Sequence, residues 1–353
     1  MLESHIKTPA LVLDMDVFER NMRRMREFTE SIGVKLRPHY KSHKSPDIAH
    51  LQIKNGAIGM CCAKLDEAED LVLAGIDDVL IANEVVEPGK IAKLADLARC
   101  CRLAVCVDHA ANIRNLEAAA ALIGSTIHCL VEFDIGMNRC GVHSHEEFLE
   151  LAKLITASPH LEFMGIQAYA GHLSHEENFA KRKAASEQVE RDLKALKKFV
   201  EANGVAVPEV SGVSTGTALF RPRDTVYTEL QAGSYIFMDS AYNALDLPFE
   251  NALFALATVM SISNGEIIND CGLKAMSVDQ RPAKLREVPE ATLNFSEEHS
   301  QFTGDPAGYA IGDHLHLIPS HCCTTVNLYD YIYFVRNGKV ENRVKVFSRG
   351  KSR

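Results

Sequence analysis

Residues 127–169 read IHCLVEFDIGMNRCGVHSHEEFLELAKLITASPHLEFMGIQAY, and this stretch indicates the fold. Short apolar runs occupy 127–134 and 163–169, and residues 145–157 between them have the apolar spacing of a helix. A strand, a helix and a second strand in this order form a right-handed βαβ unit with parallel strands. The stretch therefore predicts a parallel sheet with helical connections.

The same alternation continues in both directions along the chain. The nine candidate strands lie at 11–16, 35–41, 57–63, 78–83, 103–108, 127–134, 163–169, 208–214 and 228–235. Helical spacing recurs at 17–31, 66–74, 145–157 and 178–203. Counted from residue 35, eight strands occupy about 200 residues, which is typical of an α/β protein with a (β/α)8 TIM barrel. An open doubly wound sheet is the alternative, because the pattern does not show closure.

The last hundred or so residues have a different pattern. The short alternating runs there lie at 255–262, 266–271, 314–319, 331–336 and 339–347. Asn264-Gly265 and Asn337-Gly338 separate two pairs of these runs, and Asn-Gly is a strong signal for a tight β-hairpin. We therefore expect a C-terminal antiparallel β domain.

Composition excludes several classes of function. The 353 residues are 46% hydrophobic and 24% charged, which is typical of a globular protein. A net charge of -9 with scattered basic residues argues against a nucleic-acid partner, and no apolar run reaches the roughly 20 residues of a membrane span. The ten cysteines include three adjacent pairs and no CxxC, which indicates a reducing compartment. We expect a cytoplasmic protein without a membrane partner, the alternative being a targeting segment that is removed later.

Active sites of parallel barrels lie at the carboxyl ends of the strands. The first barrel strand ends in RPHYKSHK at 37–44, an unusually dense basic cluster. A lysine in such a cluster can become a Schiff-base nucleophile when burial or neighbouring cations lower the pKa of its ammonium group. A solvated basic turn is the alternative.

Two further clusters follow strand ends. Residues 132–142 read EFDIGMNRCGV, where Arg139 could hold an anionic group or face a ring nitrogen, the alternative being an ion pair with Asp134. Residues 167–175 read QAYAGHLSH, and His175 is a candidate proton carrier because imidazole titrates near neutral pH. A loop histidine without a role is the alternative.

Two loops of small residues end the last two barrel strands, SGVSTGT at 211–217 and QAGSY at 231–235. Barrels commonly hold a phosphate there with backbone N–H groups and hydroxyls. Neither loop is a P-loop or a dinucleotide fingerprint, and each alone could be a simple turn. As a pair they favour a phosphorylated cofactor.

The segment HLHLIPSHCCTT at 314–325 combines histidine and cysteine. In an extended chain, side chains two residues apart share a face, so His321 and Cys323 could bind one metal while Cys322 points away. Imidazole and thiolate favour zinc or another borderline metal, but they supply only two of the usual four ligands. A buried cysteine next to an unrelated histidine is the alternative.

Together these motifs resemble the metal-activated, pyridoxal-phosphate-dependent family of D-threonine aldolases and D-3-hydroxyaspartate aldolases, which is related to the eukaryotic D-serine dehydratases. The resemblance extends over almost the whole chain. The motifs that carry it are TPALVLD at 8–14, RPHYKSHK at 37–44, CCAKLDEAE at 61–69, DIGMNRCG at 134–141, GIQAY at 165–169, ELQAGSYIFMD at 229–239, CGLKAMSVD at 271–279, IPSH at 318–321 and VNLYD at 326–330.

The resemblance implies the fold and the domain bounds. The family has an alanine-racemase-like barrel (fold type III of pyridoxal-phosphate enzymes), to which 17–238 correspond. Residues 1–16 and 239–353 then form the β domain, so that the first strand at 11–16 joins the later strands. A homodimer is also implied.

The resemblance further implies the roles of single residues. Lys41 matches the Schiff-base lysine, Arg139 a residue near the ring of pyridoxal 5'-phosphate, and Tyr169 a residue of the cofactor pocket. His175 matches the proton acceptor for the substrate hydroxyl. The phosphate-binding positions are Ser214, Thr215, Gly216, Gly233, Ser234 and Tyr235. His321 and Cys323 match the pair that binds one divalent metal, which could be zinc, manganese or magnesium.

The implied activity is that of a carbon–carbon lyase, which cleaves a β-hydroxy-D-amino acid to glycine and an aldehyde. One position departs from this pattern, because the aldolases carry aspartate where Cys323 stands and the dehydratases carry cysteine. The alternative activity is therefore dehydration of D-serine or D-threo-3-hydroxyaspartate to a 2-oxo acid and ammonia. A pyridoxal-phosphate carrier protein without turnover is a third alternative, and Lys44 or Lys274 are the alternatives to Lys41.

Overall fold

The computed structural model describes residues 1–353 and divides into two units. The barrel unit comprises Arg26–Lys41, Ile48–Gly233 and Lys351–Arg353, and the β unit comprises Met1–Met25, Ser42–Asp47 and Ser234–Gly350. The domain bounds expected from the sequence stay a prediction. None of the helices combines the length and the apolar composition that a membrane crossing needs.

Seventeen strands and eight α-helices make up the two units. The strands are β1 (Ala10–Asp14), β2 (Lys35–Leu36), β3 (Met60–Cys62), β4 (Asp78–Glu84), β5 (Arg102–Val107), β6 (Ile127–Glu132), β7 (Leu161–Ala168), β8 (Glu209–Gly212), β9 (Glu229–Leu230), β10 (Leu253–Ser263), β11 (Glu266–Asn269), β12 (Lys284–Leu285), β13 (Asn294–Phe295), β14 (Ser300–Thr303), β15 (His314–Ile318), β16 (Tyr331–Arg336) and β17 (Lys339–Lys345). The helices are α1 (Met15–Ile32), α2 (Pro46–Lys54), α3 (Leu65–Leu73), α4 (Pro88–Leu97), α5 (Ala110–Ile123), α6 (His145–Thr156), α7 (Phe179–Ala202) and α8 (Cys322–Val326).

The eight strands of the barrel unit are all parallel and lie in the order β2-β9-β8-β7-β6-β5-β4-β3. The first and last strands of this order are also linked, through a parallel bridge between His39 and Cys61. The N–H of Cys61 donates to the carbonyl of Pro38 at 2.9 Å. The sheet therefore curls back on itself, and the expected TIM-type barrel is confirmed in place of the open sheet.

The helices of the barrel unit begin and end where local chemistry predicts. At the start of α6 the Ser144 hydroxyl accepts the N–H of Glu147 at 3.1 Å, and the Glu147 carboxylate accepts the N–H of Ser144 at 3.3 Å. Such a reciprocal capping box satisfies two N–H groups of the first turn. Helix α5 ends at Gly124, whose φ of 69° is the left-handed conformation that favours glycine.

Strand β1, left over from the barrel, lies in the middle of the sheet of the β unit. It pairs antiparallel with β10 and parallel with β16. The order of this sheet is β13-β14-β11-β10-β1-β16-β17, and β15 pairs with β10 and β12. The expected return of the first strand to the β domain is thus confirmed. Both Asn-Gly hairpins are confirmed as well, with φ between 49° and 78° at all four turn residues.

One histidine of the β unit lies between two carboxylates. The Nε2 of His316 is 2.6 Å from Oε1 of Glu3, and its Nδ1 is 2.8 Å from Oε1 of Glu287. Burial by itself lowers the pKa of His316, but the hydrogen bonds to these two carboxylates raise it to about 9. We call Glu3 and Glu287 the His316 carboxylate pair.

Some expectations from the sequence are wrong in detail. The expected strands at 35–41 and 228–235 are only Lys35–Leu36 and Glu229–Leu230, and 3-10 turns follow at Tyr40–Ser42 and Ser234–Ile236. The segment at 314–325 is not extended throughout, because β15 ends at Ile318 and α8 begins at Cys322. Pro319 has no N–H for a sheet, and the Asp239 carboxylate accepts the N–H of Cys322 at 2.8 Å, which starts the helical turn.

Candidate active site

A cavity of about 140 Å³ lies at the carboxyl ends of the barrel strands. Its lining residues are His39, Lys41, Ala63, Ala82, Asn83, Arg139, Gln167, Tyr169 and Gln231. The structure thus brings together Lys41, Arg139 and Tyr169, which follow three different strands, β2, β6 and β7. A concave site with convergent polar groups at this end of a barrel is the usual place for a ligand.

Lys41 lies in the 3-10 turn Tyr40–Ser42, just after β2. Its backbone N–H donates to Nδ1 of His39 at 3.3 Å, and its Nζ lies 5.5 Å from the centroid of the Tyr169 ring. The two alternative lysines have other partners, since Lys44 Nζ donates to a backbone carbonyl and Lys274 Nζ pairs with a carboxylate at 2.7 Å. Of the three, only Lys41 presents its amine to the cavity.

The side chain of Arg139 is half exposed and lies beside one carboxylate. Its Nη2 lies 3.9 Å from Oε1 of Glu132, and the alternative ion pair with Asp134 is wrong. Asp134 is used elsewhere, because its Oδ1 accepts the backbone N–H groups of Gly136 and Met137, each at 2.8 Å. Arg139 is therefore available to the cavity.

An acidic cluster lies near Arg139. Burial, followed by the charge of Glu84, raises the pKa of the Glu132 carboxyl to about 8, and Arg139 acts in the opposite direction. Ligand atoms of Glu84, Asp108 and Cys140 lie within 4.8 Å of one another. Burial, and then Glu84, raise the pKa of the Cys140 thiol to about 12, which disfavours the thiolate that a metal would need.

His175 lies in a turn that follows the 3-10 turn Gly171–Leu173, on the loop after β7. It is half-buried, and it is not among the residues that line the cavity. Its place at the same end of the barrel as Tyr169 follows from the parallel strand order. The structure therefore puts His175 on the expected face of the barrel but not in the cavity wall.

The loop after β8 has the features of an anion site. Val213 has φ of 73°, a left-handed conformation that is strained for a β-branched residue by about 1–3 kcal/mol. Ser214 and Thr215, which follow, are buried, and Ser214 Oγ lies 3.2 Å from Thr217 Oγ1. The buried Thr215 Oγ1 has no hydrogen-bond partner, and a phosphate oxygen would supply one. Gly216 completes the turn.

The second small-residue loop crosses from one unit into the other. Gly233 is the last residue of its segment of the barrel unit, while Ser234 and Tyr235 begin a segment of the β unit. Tyr235 is fully buried, and its ring centroid lies 5.8 Å from that of Phe249. Ser234 Oγ lies 4.0 Å from Sγ of Cys323, so a predicted phosphate residue contacts a predicted metal residue.

His321 and Cys323 lie at the start of α8 in the β unit. They are hydrogen-bonded to each other although the chain between them is not extended. Burial alone lowers the pKa of His321, but the hydrogen bonds to Cys323 and to Asp279 raise it to about 9. Cys322 is fully buried, and its Sγ is 3.9 Å from that of Cys323. The pair therefore offers one imidazole and one thiol to a metal, a donor set that suits zinc.

Comparisons with known proteins show the family to which this chain belongs. Residues 13–241 match the family described as alanine racemase, N-terminal domain, and residues 252–335 match the putative serine dehydratase domain. A 3-hydroxy-D-aspartate aldolase of Paracoccus denitrificans (strain Pd 1222) is 41% identical over 364 residues, which cover 99% of this chain and 94% of that protein. The chain belongs to the family of 3-hydroxy-D-aspartate and D-threonine aldolases.

A D-threonine aldolase and a dehydratase are also similar to this aldolase-family chain. The crystal structure of D-threonine aldolase from Filomicrobium marinum has a TM-score of 0.95 at 37% identity, covering 99% of this chain and 98% of that chain. D-threo-3-hydroxyaspartate dehydratase of Delftia sp. (strain HT23) is 30% identical over 351 residues, covering 91% of this chain and 92% of that protein. The dehydratase is thus the more distant of the three.

Two carboxylates of this aldolase-family chain hold His321 and the start of α8 in place, and neither was assigned a role from the sequence. Asp279 Oδ2 lies 3.0 Å from Nδ1 of His321, and its Oδ1 accepts the hydroxyls of Ser277 and Thr324. Asp239 is buried, and its Oδ2 accepts the N–H of the residue between His321 and Cys323. Burial raises the pKa of Asp239, although two backbone N–H groups act against this. Both residues end quoted motifs, and an acid after an apolar run is the signal that could have identified them.

Proposed function

We propose that this chain is a pyridoxal-phosphate-dependent carbon–carbon lyase that cleaves β-hydroxy-D-amino acids, such as D-threonine, to glycine and an aldehyde. The cavity around Lys41 carries the proposal, because a single lysine amine meets an aromatic ring and an arginine there. The names of the relatives at 41% and 37% identity support the same substrate class.

The proposed cofactor site uses residues of the barrel unit. Lys41 would hold the carbonyl carbon of pyridoxal phosphate, Tyr169 would contact the ring, and Arg139 would supply positive charge near it. Thr215 would donate its unpartnered hydroxyl to the phosphate, with Ser214, Gly216, Gly233, Ser234 and Tyr235 as the further phosphate-binding positions. When bound, the cofactor supplies the electron sink for cleavage next to the amino group.

The proposed metal site uses His321 and Cys323, which would hold one divalent ion. Such an ion lowers the pKa of a hydroxyl that it binds, here the substrate β-hydroxyl. His175 would accept the proton of this hydroxyl, since a neutral imidazole is a suitable base near pH 7. Asp279 would orient His321 by accepting a hydrogen bond from its Nδ1–H, which would leave the other ring nitrogen, Nε2, for a metal.

Substitution of the lysine tests the cofactor site. Lys41→Ala should abolish the visible absorbance of the lysine-bound cofactor and the covalent labelling by borohydride reduction. Lys274→Ala is the matched control, because Lys274 is exposed and pairs only with a surface carboxylate. Persistence of the band and the label in Lys41→Ala would move the linkage to another lysine, with Lys44 the next to substitute.

One observation favours a second candidate function, namely dehydration to a 2-oxo acid and ammonia. Cys323 stands where the resemblance to the aldolases implies aspartate, and the dehydratase relative is 30% identical. Incubation with D-threonine separates the two reactions. Acetaldehyde and glycine are expected from the lyase, and 2-oxobutyrate and ammonia would show the dehydratase. If no D-β-hydroxy amino acid is turned over although the cofactor binds, a carrier protein is the correct reading.

We also propose a homodimer, on the resemblance to the family alone. Sedimentation of the cofactor-loaded protein at micromolar concentration should give a mass near twice 39.0 kDa. A mass of one chain at these concentrations would contradict the dimer and leave the proposed chemistry untouched.

A further inference from the structure

Five buried polar side chains form one continuous hydrogen-bond chain that ends in the cavity. They lie on or directly after the neighbouring strands β2, β9, β8 and β7, and none is more than 3% exposed. In order along the chain they are Arg37, Glu229, Ser211, Gln231 and Gln167. The last two line the cavity together with Lys41.

The ion pair at one end sets the direction of every hydrogen bond that follows. Arg37 has only donors, and its Nε lies 3.0 Å from both carboxylate oxygens of Glu229. Burial alone lowers the pKa of Arg37, but the charge of Glu229 raises it above the ordinary value, so Arg37 stays charged. The Glu229 carboxylate only accepts, and the Ser211 hydroxyl therefore donates to it, at 2.5 Å.

The direction passes on to the two amides. A hydroxyl has one proton, so the Ser211 oxygen, having donated, can only accept from Gln231. Gln231 must therefore turn its NH₂ toward Ser211, at 2.7 Å, and the same NH₂ donates to Oε1 of Gln167 at 2.7 Å. The remaining contact, from Gln167 Nε2 to Gln231 Oε1, is long at 3.4 Å. Gln231 Oε1 can therefore accept a hydrogen bond from a ligand in the cavity, and Gln167 Nε2 can donate one.

We propose that Arg37, Glu229 and Ser211 are positioning residues, which fix the direction of the Gln231 and Gln167 amides and thereby the donor and acceptor pattern that the cavity offers to its ligand. A reversed Gln231 would place its carbonyl against the lone pairs of Ser211 and leave a buried acceptor without a proton. The inference rests on the proposed function in one respect, that the ligand is a ring-bearing cofactor held on Lys41.

The first test uses the protein without added cofactor and compares the same substitution at the two glutamines. Gln231→Glu removes the two amide protons that the hydrogen bonds to Ser211 and Gln167 require. It should lower the melting temperature by about 4 °C or more. Gln167→Glu keeps the oxygen that Gln231 donates to, and should lower it by less than about 2 °C. Equal losses in the two variants would overturn the fixed direction, whether or not the protein binds pyridoxal phosphate.

The second test reverses the chain without changing the net charge. In E229Q/Q231E the carboxylate and the amide exchange places, so that Ser211 can donate to position 231 and accept from position 229. Arg37 loses the same ion pair in Glu229→Gln alone, so the double variant should melt higher than that single variant, because only in the double variant can Ser211 donate to position 231. Gln167 would then donate toward position 231 and turn its carbonyl to the cavity.

The cofactor reports this reversal independently of stability. The double variant should bind pyridoxal phosphate about three- to tenfold more weakly, with a shifted absorption maximum, because one donor of the cavity has become an acceptor. Recovery of the natural spectrum and affinity together with stability would overturn the positioning role. A double variant no more stable than Glu229→Gln alone would overturn the chain direction. Failure of the natural protein to bind the cofactor would refute the proposed function alone.

Discussion

Asp279→Asn should reverse the proton arrangement of His321 and weaken metal binding. The hydroxyls of Ser277 and Thr324 both donate to Oδ1 of Asp279. In the variant they would hold the amide oxygen at that place and turn the amide NH₂ toward Nδ1 of His321. Nδ1 must then be the acceptor, and the proton moves to Nε2, the nitrogen that is proposed to bind the metal.

The expected loss follows from the role of such a carboxylate. Removing the carboxylate partner of a metal-binding histidine weakens the metal typically 10- to 100-fold, or by about 1.4–2.7 kcal/mol. Because both hydroxyls donate to Oδ1 in the natural protein, they favour the amide orientation that opposes metal binding, and we expect a loss within this range. The assay is a titration of the metal-depleted protein with Zn²⁺ in competition with a chromogenic chelator.

A matched control removes a different carboxylate of the β unit, one that does not contact His321 or Cys323. Glu298→Gln changes an exposed carboxylate that pairs with Lys274, and should leave the dissociation constant for Zn²⁺ unchanged. With Co²⁺ in place of Zn²⁺, the thiolate absorption of Cys323 should persist in both proteins. A dissociation constant of Asp279→Asn within twofold of the natural protein would refute ligation through Nε2.

The remaining predictions concern stability and metal choice. The His316 carboxylate pair raises the pKa of His316 from 6.5 to about 9. This shift adds at most about 3 kcal/mol to the free energy of unfolding. The contribution is fully present below pH 6.5 and is lost as the pH rises through 9. The melting-temperature difference between the natural protein and His316→Gln should therefore be largest near pH 6 and vanish above pH 9; a constant difference would contradict this. Gly212→Ala would place a methyl carbon 1.8 Å from the carbonyl oxygen of Ala168 on the neighbouring strand. It should lower the free energy of unfolding, measured in urea, by about 3 kcal/mol. Gly308→Ala is the control, because the space around Gly308 is open, and it should leave this free energy almost unchanged. Cys323→Asp replaces a soft ligand by a hard one and should raise the affinity for Mn²⁺ relative to Zn²⁺ in the same chelator titration; an unchanged ratio would exclude Cys323 as a ligand.

Local chemistry made part of this fold predictable from the sequence. Asn264-Gly265 and Asn337-Gly338 adopt the left-handed turn because asparagine and glycine tolerate positive φ angles. The capping box of α6 involves only residues within four positions of one another. The strand pattern also gave the barrel and the leftover first strand. Closure required the pairing of His39 with Cys61, which no local pattern contains.

Long-range contacts decided what the sequence did not give. The helical turn after His321 depends on the Asp239 carboxylate, which lies 83 residues from Cys322. Arg139 pairs with Glu132 because the backbone of the next turn uses Asp134, and neither choice is visible in EFDIGMNRCGV. The lysine of the cavity was predictable as part of a dense cluster, but the orientation of Gln231 depends on the pairing of Glu229 with Arg37, which lies 192 residues earlier in the chain.

The central place of β1 has a consequence for synthesis on the ribosome. Four of its five residues are buried, between β10 and β16. About 240 residues separate the end of β1 from the start of β10, which at 5–20 residues per second means a wait of about 12–50 s. The nascent chain must therefore carry an unpaired apolar strand while the whole barrel emerges, and chaperones that shield such strands should bind it there.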